Sequence, residues 1–563
     1  MSFIINPYRY ASGGDDYAIG GFSPEWVLDF VNLYWRYDGT TRSWSDMGAT
    51  HNSAGLMTMH DNSGNLVWGP HNLYANSDSP ASQSITVENG AQYTMKITGS
   101  GSIGLTGATT ATVTAASPQT FTASSTTLTC ATPSGTVNTA WCYRSDLGGM
   151  SDWAISGSDY VENTTSSPIY SPRFGHYIYM NGTAWENKGY LAEEGQGGDT
   201  ITNELVESND LTTSWTATNA SPSTNYATSP TGQTDCCRLI DDAGSGTGDV
   251  YVTSASITIS GATDYVFSAY AKSDQLTFLR METINSSAGS TWFNLSTGAV
   301  GTASGNHIAL IQDMDNGWYR CSVTITSATP DTSIQVRLAP ADADNDSTMD
   351  LDGTSSILIY GAQFENAENV GGPRTPSSYI PTNGSTASRS TAYLEFPLQN
   401  RLTKASATAL SQITWATQSH LDLNVNINWG PYYYDTASGN DRLGSYFMSM
   451  SGGRTGRSYH YLRTDNTGEL PNSGTNDLPS PQATAEIRNG VSAPAGTSVS
   501  CLFSYQGNTG SADTLVNGTP ELLNQSTCIL RLPKNGGRYA LEKETIWTST
   551  NLSQTDLNAG TTG

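Results

Sequence analysis

Charge is scarce in this 563-residue chain: 13% of residues are charged, and Lys and Arg (25) are outnumbered two to one by Asp and Glu (50). Long helices and coiled coils draw heavily on Glu, Lys and Arg, so this shortage argues against both. A formal net charge of -25 repels phosphate backbones and anionic membrane surfaces, so neither nucleic acid nor membrane insertion is expected. The excess acid serves either to keep a large assembly soluble or to bind cations. Cysteine is sparse as well: the seven residues Cys130, Cys142, Cys236, Cys237, Cys321, Cys501 and Cys528 are odd in number and lack CxxC spacing. A disulfide framework is thereby disfavoured and reduced thiols are expected. No stretch approaches the ~20 apolar residues needed to cross a bilayer, and Met1 to Tyr10 lacks a signal-peptide core. Folding in a bacterial cytoplasm follows as the expectation, with any extracellular role reached by a route other than secretion.

Catalytic signatures are missing too. The sequence holds no GxxxxGK[ST], HExxH or GxSxG, and His51, His60, His71, His176, His307, His420 and His460 are scattered singly, so no nucleophilic triad can be assembled. Gly99-Ser-Gly-Ser-Ile-Gly104 satisfies GxGxxG but lies between two short strands, which predicts a hairpin turn and not a dinucleotide site. Glu193, Glu194 and Glu186 have the chemistry of a glycosidase pair, but neighbouring strand residues point to opposite faces, and a linker location is the expectation. No catalytic residue is assigned, and the chain is expected not to be an enzyme.

What is abundant is Gly, Ser, Thr, Asn and aromatic residues, the composition of short strands joined by many turns. The chain is too long for one core, so three or four all-β modules are expected. Residues 1–70 read as an extended arm with a small docking region. Residues 71–170 form a first β-sandwich, with alternating segments such as Tyr93-Thr-Met-Lys-Ile-Thr98, and 171–199 an irregular connector. Residues 200–390 form a second sandwich with longer strands, among them Tyr265 to Lys272 and Trp318 to Thr326. Residues 395–563 form a third, opening on the strand Leu421 to Trp429, with a helical turn at Asn551 to Leu557.

The first two sandwiches read as copies of one type. His71-Asn-Leu-Tyr-Ala-Asn-Ser-Asp78 opens the first and Thr202-Asn-Glu-Leu-Val-Glu-Ser-Asn-Asp210 the second; Ser158 to Thr165 and Ser377 to Gly384 close them.

These segments resemble virion proteins of tailed bacteriophages that carry carbohydrate-binding-module-like jelly rolls. The resemblance rests on the start Phe3-Ile-Ile-Asn-Pro-Tyr-Arg-Tyr10, the connector Ser171 to Glu194, the opening Asn203 to Trp215, the strand Gly361-Ala-Gln-Phe-Glu365 and the turn Ser378-Tyr-Ile-Pro-Thr382. The first copy departs where Ala140-Trp-Cys-Tyr-Arg144 replaces the closing strand and Gly148 to Ser158 is inserted. The last part resembles the concanavalin A and laminin G type of sandwich. The resemblance implies a tail-fibre, head-fibre or decoration component of the particle, with contact to host-surface glycans.

Candidate sites follow. The arm residues Phe3, Ile4, Ile5, Asn6, Pro7, Tyr8 and Tyr10 cannot bury themselves locally and are expected to dock into another virion protein by strand addition. Self-association, as a homotrimer, is expected by analogy with fibres. Trp429, Tyr432, Tyr433, Tyr434, Asp435, Asn440, Asp441 and Arg442 combine stacking rings with hydrogen-bonding groups, as a sugar site needs. Asp342, Asp344, Asp346, Asp350 and Asp352 suit a structural calcium by residue type, but Ser347 and Gly353 break the EF-hand pattern, and a solvated acidic loop is the favoured alternative. No other cofactor is expected. Three functions stay open: a receptor-binding tail fibre, a capsid decoration or head fibre without a ligand, and a glycan-degrading tail spike.

Overall fold

The computed structural model of the chain describes residues 26–37, 39–53, 55–180, 182–194, 200–259, 264–284, 289–325, 332–366, 376–389 and 393–397, and then strands between 413 and 547. It is all-β, as expected: among the described residues the helical content is one 3-10 turn at Ser45–Met47. The chain forms two compact units, one of residues 1–52, 187–198 and 392–563, the other of 53–186 and 199–391.

The first unit is assembled from segments far apart in sequence. Its main sheet runs Thr40–Arg42, Tyr34–Tyr37, Trp26–Asp29, Gly537–Trp547, Ile413–Leu421, Thr497–Tyr505 and Tyr446–Met450, and Tyr190–Glu194 also pairs with Gly537–Trp547. This grouping departs from the boundaries expected from sequence. Val27, Leu28, Phe30 and Trp35 are buried, yet the segment is too short to build a core alone, so its strands complete a sheet with residues some five hundred positions away. The supposed connector is likewise not irregular, since Tyr177–Met180, Ala184–Asn187 and Tyr190–Glu194 are strands. Glu193 and Glu194 thus sit in a sheet and not in a linker. The expected strand from Leu421 to Trp429 is split, with Ile413–Leu421 in the main sheet and Val425–Asn428 in a separate pair with Gly490–Ala493. The arm Phe3 to Tyr10 and the turn at 551–557 lie outside the described residues.

The second unit holds two sandwiches. In the first, a four-stranded sheet (Ala111–Thr114, Ser102–Gly107, Thr127–Cys130, Gln83–Thr86) faces a three-stranded one (Gln119–Thr122, Gln92–Gly99, Val137–Arg144). Between them Ile85, Tyr93, Met95, Ile97, Leu105, Val113 and Leu128 form the core, one side chain in two along each strand. Gly99 to Gly104 does not close a hairpin, because Gln92–Gly99 and Ser102–Gly107 belong to opposite sheets and the glycines carry the chain across the sandwich edge. Gly99 has φ 106°, and a Cβ there would lie 2.3 Å from the Thr136 carbonyl oxygen.

The second sandwich pairs a seven-stranded sheet with a six-stranded sheet, the latter in the order Ala220–Ser223, Cys237–Asp241, Ser356–Asn366, Tyr265–Ser273, Trp318–Ile325 and His307–Asp313. Phe267, Leu279, Met281, Phe293, Val323, Val336, Leu338, Ile357 and Phe364 fill it. The adjacent Cys236 and Cys237 illustrate the alternation. Cys237 enters this core, while Cys236 joins a separate buried cluster with Leu66, Trp68, Tyr270, Trp318, Tyr360 and Tyr379 on the outer side of the sheet. All five described cysteines are free and buried. Burial pushes the Cys130 and Cys237 thiols up to about 12, which keeps them unreactive.

Candidate functional site

The segments that define the repeat meet in space. In the second sandwich Asn203 donates from Nδ2 to the carbonyls of Ile380 (2.9 Å) and Ala362 (3.2 Å), and its Oδ1 accepts from the amides of Phe364 (3.1 Å) and Leu205 (3.2 Å). One buried amide therefore ties the opening segment, the strand Ser356–Asn366 and the closing turn together. Ser208 adds a second tie, accepting from the Thr382 amide at 2.9 Å and lying 2.6 Å from the Tyr379 hydroxyl. Gln363 and Glu365 hold the turn from the other side: Gln363 Oε1 accepts from the Ile380 amide (2.8 Å) and Glu365 Oε1 from the Ser377 amide (2.6 Å). Burial raises the Glu365 carboxyl, opposed by hydrogen bonds from Ser377 and by the charges of Arg320 and Arg389.

The first sandwich repeats this clasp with Asn72, whose Nδ2 donates to the Val161 carbonyl (2.8 Å) and whose Oδ1 accepts from the amides of Tyr74 (2.9 Å) and Cys142 (3.2 Å). Ser77 takes the place of Ser208, accepting from the Asn163 amide (2.8 Å) beside the Tyr160 hydroxyl (3.0 Å). The residues of the motifs are thus structural: buried polar groups satisfy one another where an unpaired one would be costly.

The clasp also decides which sheet faces are open. The outer face of the six-stranded sheet carries Tyr270, Arg320, Leu358 and Tyr360, all buried, under the closing turn at Tyr379 and the segments around Leu66, Trp68 and Leu147. Arg320 donates to the Ser377 carbonyl at 2.8 Å and lies 5.2 Å from the Tyr270 ring centre. These rings pack the interior of the unit and offer no ligand surface.

The seven-stranded sheet presents its outer side differently, as a lattice of charged and aromatic residues. Arg337 stacks on Tyr251 at 3.8 Å, donates to Thr253 Oγ1 at 3.1 Å and reaches Glu282 at 3.5 Å. Next to it Arg280 pairs with Asp249 and approaches Glu282 at 3.3 Å, with Trp292 directly across the strand pair. Trp292 Nε1 donates to the Asp346 carbonyl at 2.9 Å, so the acidic segment is anchored against this sheet.

In that segment the carboxylates serve turns. Asp344 accepts from the Thr302 amide (2.7 Å) and hydroxyl (3.1 Å), Asp346 from the Thr348 amide (2.9 Å), and Asp352 from the Thr354 amide (2.9 Å). Burial and then the neighbouring charges of Asp350, Asp346, Asp241 and Asp352 raise the Asp342 carboxyl. Among the described residues no group of three or more His, Cys, Asp or Glu is arranged to hold a metal ion.

His71 and His307 are buried and uncharged. His71 Nδ1 lies 2.8 Å from the Gly69 carbonyl and Nε2 accepts from the Arg144 amide at 2.9 Å, while His307 is held between Thr283 and Thr291, each at 2.9 Å. Desolvation lowers both to about 4. His60 and His176 are not isolated, their ring centres lying 6.2 Å apart beside Trp185.

Of the expected sugar site, Tyr433–Asp435 forms a strand paired with Ala483–Ala485, and Arg442–Leu443 pairs with Leu462–Arg463. Trp429, Tyr432, Asn440 and Asp441 lie outside the described residues.

No protein-family model and no curated protein matches this sequence. Among solved structures it is similar to the N-terminal CBM22-1-CBM22-2 tandem domain from Paenibacillus barcinonensis Xyn10C. That likeness has 12% identity over 63% of this chain and 100% of that one, with a TM-score of 0.20. The sandwich architecture stands on the strand pairing described above and not on this likeness.

Proposed function

We propose that this chain is a non-enzymatic structural component of a tailed-phage particle, a tail fibre or adhesion protein whose sandwiches contact host-surface glycans. The observation that supports this reading is the clasp. The segments that carry the resemblance to virion proteins, Asn203 to Trp215, Gly361 to Glu365 and Ser378 to Thr382, are hydrogen-bonding partners of one another, so the resemblance is a matching set and not scattered identity. In this reading the arm Phe3 to Tyr10 docks into another virion protein, copies of the chain associate, and the region of Trp429 to Arg442 is one glycan contact. The acidic surface keeps the assembly soluble.

Quantitative mass spectrometry of purified particles tests the assignment. A few copies per particle are expected for a tail fibre. Hundreds of copies would transfer the protein to the head as a decoration or head-fibre component, and absence from particles would refute the virion role.

A further inference from the structure

Tyr226 is the one large aromatic side chain standing exposed among the described residues, with 47% of its surface in solvent. A single exposed ring ordinarily needs no explanation. This one is held in place. Its amide donates to the Cys236 carbonyl at 2.9 Å, and a bridge between Thr228 and Thr234 continues the pairing toward the turn at Ser229 to Gln233. The hairpin is fixed to the interior by Trp318 Nε1, which donates to the Thr228 carbonyl at 3.2 Å, and by the buried Cys236.

The ring itself rests against the guanidinium of Arg238, 4.8 Å from its centre. Arg238 is locked in turn, because its Nε donates to Asp274 Oδ2 at 3.0 Å and to Ser356 Oγ at 3.1 Å, and Ser356 donates to the same carboxylate oxygen at 2.7 Å. Among the described residues no hydrogen bond engages Arg238 Nη1 or Nη2, or Asp274 Oδ1. About a fifth of each of these two side chains is exposed. A pre-positioned ring therefore stands beside unused guanidinium donors and an unused carboxylate acceptor.

We infer that Tyr226, Arg238 and Asp274 form a stacking site for a neutral hexopyranose unit of a glycan. This deepens the proposed glycan contact and rests on that reading. The C–H face of a pyranose packs on an aromatic ring, and a vicinal pair of hydroxyls accepts from a guanidinium while donating to a carboxylate. Rigid partners lower the ordering cost of binding. A neutral sugar is specified because the chain carries a net charge of -25 and repels acidic glycans at long range.

Saturation-transfer NMR on the full chain with methyl α-D-glucopyranoside, methyl α-D-mannopyranoside and methyl β-D-galactopyranoside, with glucuronate as the charged counterpart, tests the site. At least one neutral glycoside should give a signal at about millimolar affinity. Tyr226→Ala and Arg238→Gln, with melting curves matching the parent, should each weaken it about tenfold or abolish it. A triple Tyr432, Tyr433, Tyr434→Ala variant separates the two glycan contacts. If that triple variant abolishes the signal and Tyr226→Ala leaves it unchanged, the Tyr226 site is overturned while glycan contact stands. Preference for glucuronate overturns the ligand class, and no signal from the parent with any sugar overturns the site and the glycan reading together.

Discussion

Asn72 and Asn203 hold corresponding positions in two different sandwiches, each joining an opening segment, a sheet strand and a closing segment through one buried carboxamide. An amide suits the position because it offers an acceptor to two backbone N–H groups and donors to backbone carbonyls at once. Neither Asp nor Leu provides both.

Replacing either residue by Ala leaves several buried backbone groups unpaired. Each variant is expected to lose roughly 2–4 kcal/mol of stability in urea unfolding, at about 1–3 kcal/mol per stranded group before relaxation. The same loss is expected for Asn72→Asp and Asn203→Asp in direction, since a carboxylate keeps the acceptor and loses the donors. A change below about 0.5 kcal/mol would show that the clasp is incidental.

Stability should fall as the medium is acidified from about pH 6.5 to about pH 4. His71 and His307 take up a proton near 6.5 when unfolded but only near 4 when folded, so in that window the unfolded chain binds more protons and acid favours it. Each contributes on the order of 3 kcal/mol across the full window. His71→Gln and His307→Gln should flatten the melting temperature against pH. An unaltered profile in the double variant would reject the assignment.

How much of this was legible beforehand follows from distance along the chain. Period-2 alternation is a local signal, and it identified strands such as Tyr265–Ser273 and Trp318–Ile325. The repeat was legible as paired openings and closings. The function of its asparagines was not, because their partners at Cys142, Val161, Ala362 and Ile380 are remote in sequence and leave no periodic trace. The same holds for Trp26–Asp29, whose register with residues 543–546 follows from no local pattern. Arg280 and Arg320 are buried although charge usually marks a surface, since their partners come from other strands and loops. Tyr226 leaves no signal in the sequence, because only the folded hairpin brings its stacking partner, Arg238, beside it.

Gly99→Ala should destabilise the first sandwich by roughly 1–3 kcal/mol, since φ 106° is unfavourable for a side chain and the Cβ meets backbone at 2.3 Å. Hydrogen exchange localised to residues 83–144 is the readout. Unchanged protection would mean that the crossing between sheets tolerates a different path.

Chelation of divalent cations should leave the melting temperature of the chain unchanged, because Asp344, Asp346 and Asp352 are spent on backbone amides of their own turns and of Thr302. A drop of several degrees with EDTA, restored by calcium, would revive the metal reading of the acidic segment.

The central claim is that the chain contacts host glycans as part of a phage particle, and adsorption competition tests it most directly. If the proposal holds, purified full chain added to host cells before phage challenge should block adsorption in proportion to dose and should lose that effect on cells stripped of surface polysaccharide. Undiminished adsorption at saturating protein, with no chain retained on the cells, would contradict the account.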